Sequence, residues 1–242
     1  MLIELLGPSG IGKTTAIRGL EKTSVYRRAD FRSYDDYNDT SRFHEEERGG
    51  EEPRLLPLLW RHPRLVASIV SLALIHGPPL KRRMRKTFRC LANLAVTERL
   101  VERHPNDLIV IDDGFTQTLW SLVVESRALR GRGLIRIALA DYQRVIGQRA
   151  IRLRVDHEEV EERVFARKSG GRFNRHASPA VRETYRKWLG YFEEIAALAP
   201  PGMIVDTIDG RQHPDLVANA LAETIEAIAP AAPAPSEATT RS

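Results

Sequence analysis

The sequence predicts an α/β protein built on a parallel β-sheet with helices on both faces. Short, continuously apolar segments, typical of buried strands, alternate with longer segments of helical spacing. A glycine-rich loop directly follows the first apolar segment, and two aspartates follow a later one. A single cysteine in 242 residues excludes an internal disulfide and favours a reducing compartment such as the cytoplasm.

Each strand in this prediction is followed by a helix or a polar connection. The predicted strands are residues 2–6, 24–30, 107–114, 151–156 and 202–210. Residues 31–53 are polar and acidic, which predicts a solvated loop or lid. The predicted helices are 13–22, 54–104 (divided at Pro63 and at 77–79), 116–130, 157–169 and 213–229. Residues 1–228 are thus expected to form one domain, followed by a disordered tail at 229–242.

The longest apolar run covers residues 65–75 and is too short to span a bilayer, which takes roughly 20 residues. It predicts a buried helix, and an interfacial or substrate-lining helix is the alternative. The net charge of +5 could suggest a nucleic-acid partner. Acidic residues are interspersed with the arginines, however, and no basic module motif is present. We therefore expect neither a membrane span nor a nucleic-acid partner.

The glycine-rich loop fits the pattern G-x-x-x-x-G-K-[S/T] from Gly7 to Thr14. In this pattern successive backbone N–H groups cradle phosphate oxygens, the lysine reaches the β- and γ-phosphates, and the hydroxyl coordinates Mg²⁺. The helix that follows adds its positive end. A turn that binds nothing is the alternative. The predicted nucleotide-binding residues of the loop are Gly7, Pro8, Ser9, Gly10, Ile11, Gly12, Lys13, Thr14 and Thr15, and Arg163 of a later arginine-rich segment is predicted to join them.

The predicted strand at 107–114 ends in two aspartates and a glycine. A nucleotide-binding loop of this kind needs an acidic residue on a neighbouring strand to hold Mg²⁺. Asp112 is the first candidate for this role, beside Thr14, and Asp113 is the second. The alternative is that one of them caps the helix that begins near Thr116.

An arginine-rich segment at 163–176 surrounds a Ser-Gly-Gly sequence and predicts a lid. Its glycines permit a loop that closes and brings guanidinium groups to a transferring phosphoryl group. The alternative is a solvated helix whose glutamates, Glu159 and Glu162, neutralise the arginines. The arginines are Arg163, Arg167, Arg172 and Arg175.

On these motifs the chain resembles the thymidylate kinase-like group of P-loop kinases over roughly residues 1–228. The resemblance rests on the loop, on the strand, helix and arginines of 153–173, and on the segment 178–210. It implies a P-loop kinase fold with a five-stranded parallel sheet, ATP with Mg²⁺ as donor, and an arginine-bearing lid. Related kinases are often dimers, so a homodimer is one option. The residues at matching positions are Lys13, Thr14, Arg163, Arg167 and Arg172.

The acceptor side departs from this family. Thymidylate kinases have Asp-Arg where this chain has Asp112-Asp113, and the arginine grips the acceptor's phosphate. An anionic Asp113 would instead repel a phosphate and could take a proton from a hydroxyl. Asp30 and Asp35 are alternative bases. Arg27 and Arg28 are candidate anion contacts.

The leading hypothesis is therefore a kinase that moves the γ-phosphoryl of ATP to the hydroxyl of a small molecule such as a sugar or nucleoside. In it Lys13 neutralises the phosphates, Asp113 or Asp30 takes the proton, and Arg167 and Arg172 stabilise the transferring group. Residues 31–104 form the acceptor side, with a helical insertion. A nucleoside monophosphate kinase is one alternative. Others are a regulatory P-loop ATPase acting on a protein partner and a nucleic-acid ATPase.

Overall fold

The computed structural model describes residues 1–28, 30–34, 55–76, 80–112, 114–126, 128–166 and 177–229. Within them, five strands form one all-parallel sheet in the order β2-β3-β1-β4-β5. The parallel α/β class predicted from the sequence is therefore confirmed. The strands are β1 (Leu2–Leu6), β2 (Phe31–Tyr34), β3 (Leu108–Ile111), β4 (Arg149–Arg154) and β5 (Ile204–Asp209).

Helices surround this sheet, and in the sequence most of them occur between one strand and the next. The predicted helical region 54–104 is divided, as expected, at Pro63, which begins a new helix. The second predicted division, at 77–79, lies outside the described residues. The helices are α1 (Lys13–Leu20), α2 (Leu55–Arg61), α3 (Pro63–His76), α4 (Leu80–Arg103), α5 (Phe115–Val123), α6 (Arg132–Ile146), α7 (His157–Phe165), α8 (Pro179–Ala197) and α9 (Pro214–Ile228).

The carboxyl ends of the strands share one edge because the sheet is parallel. β1 and β3 are fully buried and apolar, except for Glu4, and they run side by side with Leu2 opposite Ile109. β1 ends at the start of the glycine loop, and β3 ends immediately before Asp112. In open sheets of this kind, ligands bind beyond the carboxyl ends of the strands. The fold therefore brings the two strongest motifs of the sequence to the usual position for a binding site.

The second strand was predicted at 24–30, and this prediction is wrong. Val25–Arg27 form a short 3-10 helix, and the strand is Phe31–Tyr34. The reason is that the position of an edge strand is set by its partner. β2 pairs in register with β3, from Phe31 opposite Leu108 to Tyr34 opposite Ile111.

Four helices differ from their predictions. Helix α8, Pro179–Ala197, was not predicted as a helix. Helix α6, which begins and ends beside the left-handed glycines Gly131 and Gly147, was not predicted. Helix α5 ends at Val123 rather than near residue 130, and α7 ends at Phe165. The rest of the predicted arginine lid, 167–176, and the predicted tail from 230 onward lie outside the described residues.

Helix α3 contains the apolar run 65–75 and buries one face of it. Leu65, Ile69 and Leu72 are in the core, whereas Leu74 and Ile75 are exposed. The expectation of a buried helix therefore holds for one face only. In the part of the chain that the structure describes, no helix is long and apolar enough to cross a membrane.

Candidate functional site

The glycine loop, residues 7–14, connects β1 to α1 and depends on glycine at two positions. Gly10 and Gly12 have φ angles of +97° and +101°, a region that side-chain-bearing residues rarely adopt. A Cβ on Gly10 would also lie 2.1 Å from Cγ2 of Val164 on α7, whereas a Cβ on Gly12 would meet nothing within 4 Å. Gly10 thus allows α7 to pack closely on the loop.

Lys13, the first residue of α1, extends back across the loop. Its Nζ donates to the carbonyl oxygen of Gly7 at 2.6 Å and to that of Pro8 at 3.4 Å. The ammonium group therefore lies at the start of the loop, beside the positive end of α1. This arrangement places a cation where an anion bound by the loop would be found.

Thr14 and Asp112 come together although they are 98 residues apart in the sequence. The Thr14 hydroxyl donates to Oδ2 of Asp112 at 2.8 Å, and Asp112 is buried. A hydroxyl and a carboxylate are the oxygen ligands that Mg²⁺ prefers in proteins. Their pairing fits the predicted magnesium position.

These two side chains alone form an incomplete magnesium site. Among the residues that the structure covers, no group of three or more His, Cys, Asp or Glu side chains could hold a metal. Mg²⁺ in nucleotide sites is commonly held by one or two protein ligands together with phosphate oxygens and water. The donor set present fits a cation that arrives with a nucleotide.

Arg163 joins three elements beside the loop. Its guanidinium donates to Glu159 Oε1 at 2.6 Å, to the Gly210 carbonyl at 3.2 Å and to the Ile11 carbonyl at 3.5 Å. Next to it lies a cavity of about 260 Å³, lined among others by Thr15, Arg163, Gln212, Pro214 and Val217. A guanidinium plane, apolar side chains and an amide are suited to hold a flat heterocyclic base.

Tyr185 of α8 also supports the loop, and this role was not predicted from the sequence. Its hydroxyl donates to the Ser9 carbonyl at 2.6 Å, and its ring packs edge-on against Phe165 with centroids 5.7 Å apart. Neighbouring Glu161 of α7 accepts from Arg182 and Arg186 of α8, and this pairing holds the pKa of the Glu161 carboxyl below its usual range. Helices α7 and α8, which flank residues 167–176 in the sequence, are thus joined to each other through Glu161, and α8 is joined to the loop through Tyr185.

Glu4 is a second residue whose role was not predicted from the sequence. It is fully buried in β1 and accepts from the backbone N–H groups of Thr116 and Gln117, at 3.3 and 3.2 Å, and from the Gln148 amide. These N–H groups belong to the first turn of α5, so Glu4 caps that helix from the sheet. Burial raises the pKa of Glu4. The feature of the sequence that could have identified Glu4 is an acidic residue inside an otherwise apolar strand.

The structure does not bring Asp30 to the glycine loop. Asp30 precedes β2, and its carbonyl accepts from Leu108 N, so it lies at the amino edge of the sheet. Its carboxylate is paired with Arg28 through hydrogen bonds of 2.9 and 2.8 Å, which lower its pKa. A tightly paired carboxylate at the opposite edge is poorly suited to take a substrate proton at this site.

The other predicted catalytic residues lie outside the described residues. These are Asp113, the alternative base Asp35 and the lid arginines Arg167 and Arg172. The residues that precede the two aspartates in the chain are described. Asp112 is at the loop, and β2 ends at Tyr34 beside Ile111.

Comparison with known proteins adds no relative. No protein-family model matches the sequence, and no curated protein gives a significant match. The loop motif, the sheet topology and the contacts described above are therefore the features that bear on function.

Proposed function

We propose that the chain is a P-loop kinase that transfers the γ-phosphoryl of ATP to the hydroxyl of a small molecule. The observation that carries the proposal is the contact between Thr14 and Asp112 at the mouth of the glycine loop. A glycine-rich turn without a ligand would not require a buried carboxylate on the neighbouring strand to meet the hydroxyl that follows Lys13. The reducing compartment favoured by the single Cys90 would be the cytoplasm.

In this proposal the donor half of the site comes from β1, α1 and α7. The loop N–H groups and Lys13 hold the phosphates, Thr14 and Asp112 hold Mg²⁺, and Arg163 with its cavity takes the base. Bound Mg²⁺ would neutralise charge on the β- and γ-phosphates. The lid arginines Arg167 and Arg172 would stabilise the transferring group and exclude water.

The acceptor half comes from β2, β3 and the helical insertion α2–α4. Asp113 and Asp35 lie outside the described residues, but in the sequence Asp113 directly follows Asp112 and Asp35 directly follows Tyr34, the last residue of β2. β2 and β3 both end at the carboxyl edge of the sheet. We propose one of these two as the base that takes the hydroxyl proton, in preference to Asp30. An anionic base favours a neutral hydroxyl over a phosphate as the acceptor group. We therefore propose a kinase of sugars, nucleosides or similar metabolites in preference to a monophosphate kinase.

The first test is nucleotide binding by Lys13→Met, measured by calorimetry with ATP analogue and Mg²⁺. We expect at least tenfold weaker binding because a hydrogen bond to a charged phosphate contributes about 1.5–3 kcal/mol. Lys22→Met is the matched control, since Lys22 is an exposed lysine just after α1 and pairs only with Asp215 among the contacts described. Equal affinity of wild type and Lys13→Met would refute the nucleotide site.

The second test is phosphoryl transfer from labelled ATP to a panel of sugars, nucleosides and nucleoside monophosphates. We expect transfer to a hydroxyl compound, with a large loss of kcat in Asp113→Asn or Asp35→Asn and little change in Asp30→Asn. Transfer to a monophosphate would instead identify a monophosphate kinase. Slow hydrolysis with every acceptor, accelerated by a protein partner, would identify a regulatory ATPase.

A further inference from the structure

The first half of α4 exposes a row of large apolar side chains. Leu80, Met84 and Phe88 are 67%, 64% and 50% exposed, and their spacing of four residues puts them on one face of the helix. At the end of α3, close in the chain, Leu74 and Ile75 are 64% and 47% exposed. Such a group of exposed apolar residues commonly marks an interaction surface.

The same half-helix carries a high density of positive charge. Six of the nine residues from 81 to 89 are Lys or Arg, and no acidic residue occurs from 80 to 97. Lys81, Arg82, Arg85 and Arg89 are exposed, whereas Lys86 and Arg82 also reach Glu125 of the neighbouring chain segment at 3.1 and 3.3 Å. The exposed residues Leu80, Lys81, Arg82, Met84, Arg85, Phe88 and Arg89 are called the basic–apolar surface.

We propose that the basic–apolar surface binds the face of an anionic lipid bilayer. A helix with an apolar row flanked by Lys and Arg lies in the membrane interface, with the apolar side chains in the acyl boundary and the cations at the headgroups. Each cation near an anionic leaflet adds attraction, and the apolar row adds affinity that charge alone does not supply. The protein would then work at the membrane surface without spanning the membrane.

Other occupants match the surface less well. A two-fold dimer through this face would place the same cations of both copies opposite one another. A nucleic acid would use the cations but would leave Leu80, Met84 and Phe88 without apolar contacts. The acidic stretch 35–54 of the same chain has eight carboxylates but only Tyr37 and Phe43 as large apolar residues. A bilayer offers both negative charge and hydrocarbon.

The test is co-sedimentation of the full chain, without nucleotide, with vesicles of phosphatidylcholine alone or mixed with phosphatidylglycerol. We expect binding to the mixed vesicles only, weakened as salt is raised. Lys81→Glu with Arg85→Glu should lower partitioning at least tenfold. Lys22→Glu, a reversal of an exposed charge next to α9, should leave it unchanged.

The apolar contribution is tested by the triple variant Leu80→Ser, Met84→Ser, Phe88→Ser, which removes exposed side chains and should still fold. We expect it to lose vesicle binding, whereas Leu216→Ser, at an exposed position on α9, retains it. Circular dichroism checks that both variants are folded. The proposal is overturned if wild type binds neither vesicle, if the triple variant binds as wild type, or if the surface instead mediates self-association or retention on heparin.

Discussion

Gly10 and Gly12 share a left-handed backbone conformation but differ in their surroundings, so alanine should have different effects at the two positions. At Gly12 only the backbone penalty of about 1–2 kcal/mol applies. At Gly10 the added Cβ would also collide with Val164, so Gly10→Ala should lower the free energy of unfolding further. Urea unfolding of both variants measures the difference.

The collision itself can be isolated with Val164→Ala. If the Val164 methyl groups cause the extra loss, Gly10→Ala and Val164→Ala should couple favourably in a double-mutant cycle, whereas Gly12→Ala and Val164→Ala should be additive. Equal losses for the two alanines, without coupling, would contradict the close packing of α7 on the loop.

Glu4 should make the protein less stable as the pH rises above the ordinary range for a carboxyl. Burial raises the pKa of Glu4 above its usual 4.5. The folded state then binds more protons than the unfolded state between the two pKa values, so the free energy of unfolding falls with rising pH, by about 1.4 kcal/mol per unit of pKa difference. Below the unfolded-state pKa this contribution is fully present.

Glu4→Gln should remove that pH dependence. A neutral glutamine can still accept from the first turn of α5, and the Gln148 amide can turn to present its oxygen. Urea unfolding at acidic and alkaline pH compares wild type with Glu4→Gln and with Glu223→Gln, an exposed control. Parallel pH profiles for wild type and Glu4→Gln would contradict the raised pKa.

Among single residues, the contact between Thr14 and Asp112 could be predicted from the sequence, whereas the residues that support the glycine loop and α5 could not. The glycine loop and Asp112 follow a pattern whose chemistry fixes their spacing, and the structure brings Thr14 and Asp112 together. Glu4 and Tyr185 act through backbone groups 112 and 176 residues away. No local pattern encodes such a contact, because a backbone N–H or carbonyl is present at nearly every position.

Among the helices, the connection between α7 and α8 depends on Glu161. Its carboxyl is buried and paired with Arg182 and Arg186. We expect Glu161→Gln to lower the free energy of unfolding by about 1 kcal/mol at neutral pH, a modest value because both arginines are partly exposed to water. Thermal unfolding of this variant beside Glu223→Gln measures it.

The pH dependence of this pairing is opposite in sign to that of Glu4. Because the folded-state pKa of Glu161 is lowered, its stabilisation is present above the ordinary carboxyl pKa and is lost as the pH falls through the folded value. The gap between wild type and Glu161→Gln should therefore close in acid. A gap that persists there would assign the effect to packing and not to charge.

Most strands and helices followed from apolar pattern, and the exceptions have physical causes. The position of β2 depends on its pairing with β3 and not on its own composition, so this strand was predicted at the wrong residues. Helix α6 mixes arginines with its apolar face, and the glycines that bound it resemble loop residues. The apolar run of α3 does not show which face is buried, since nearly all of its residues are apolar.

For the molecule as a whole, nucleotide with Mg²⁺ should raise thermal stability by mass action. At a ligand concentration 100 times the Kd, the expected gain is about 2.7 kcal/mol. Removing Mg²⁺ with chelator should reduce the gain in wild type. In Thr14→Val the gain should be smaller and less sensitive to chelator, because one of the two proposed protein ligands is gone while Asp112 and the phosphates remain. A chelator effect equal in the two proteins would exclude Thr14 as a metal ligand.

The hydrogen bond between Thr14 and Asp112 has a consequence for how two substrates influence each other. It is a direct side-chain link between α1, which would begin the proposed donor half, and the residue that follows β3, where the proposed acceptor half would begin. A ligand that rearranges this bond changes the position of both partners. Donor and acceptor affinities would then be linked, and thermodynamic reciprocity requires each ligand to change the affinity of the other by the same factor. An unknown acceptor could thus be recognised, before any turnover is seen, as the compound that shifts the Kd for nucleotide.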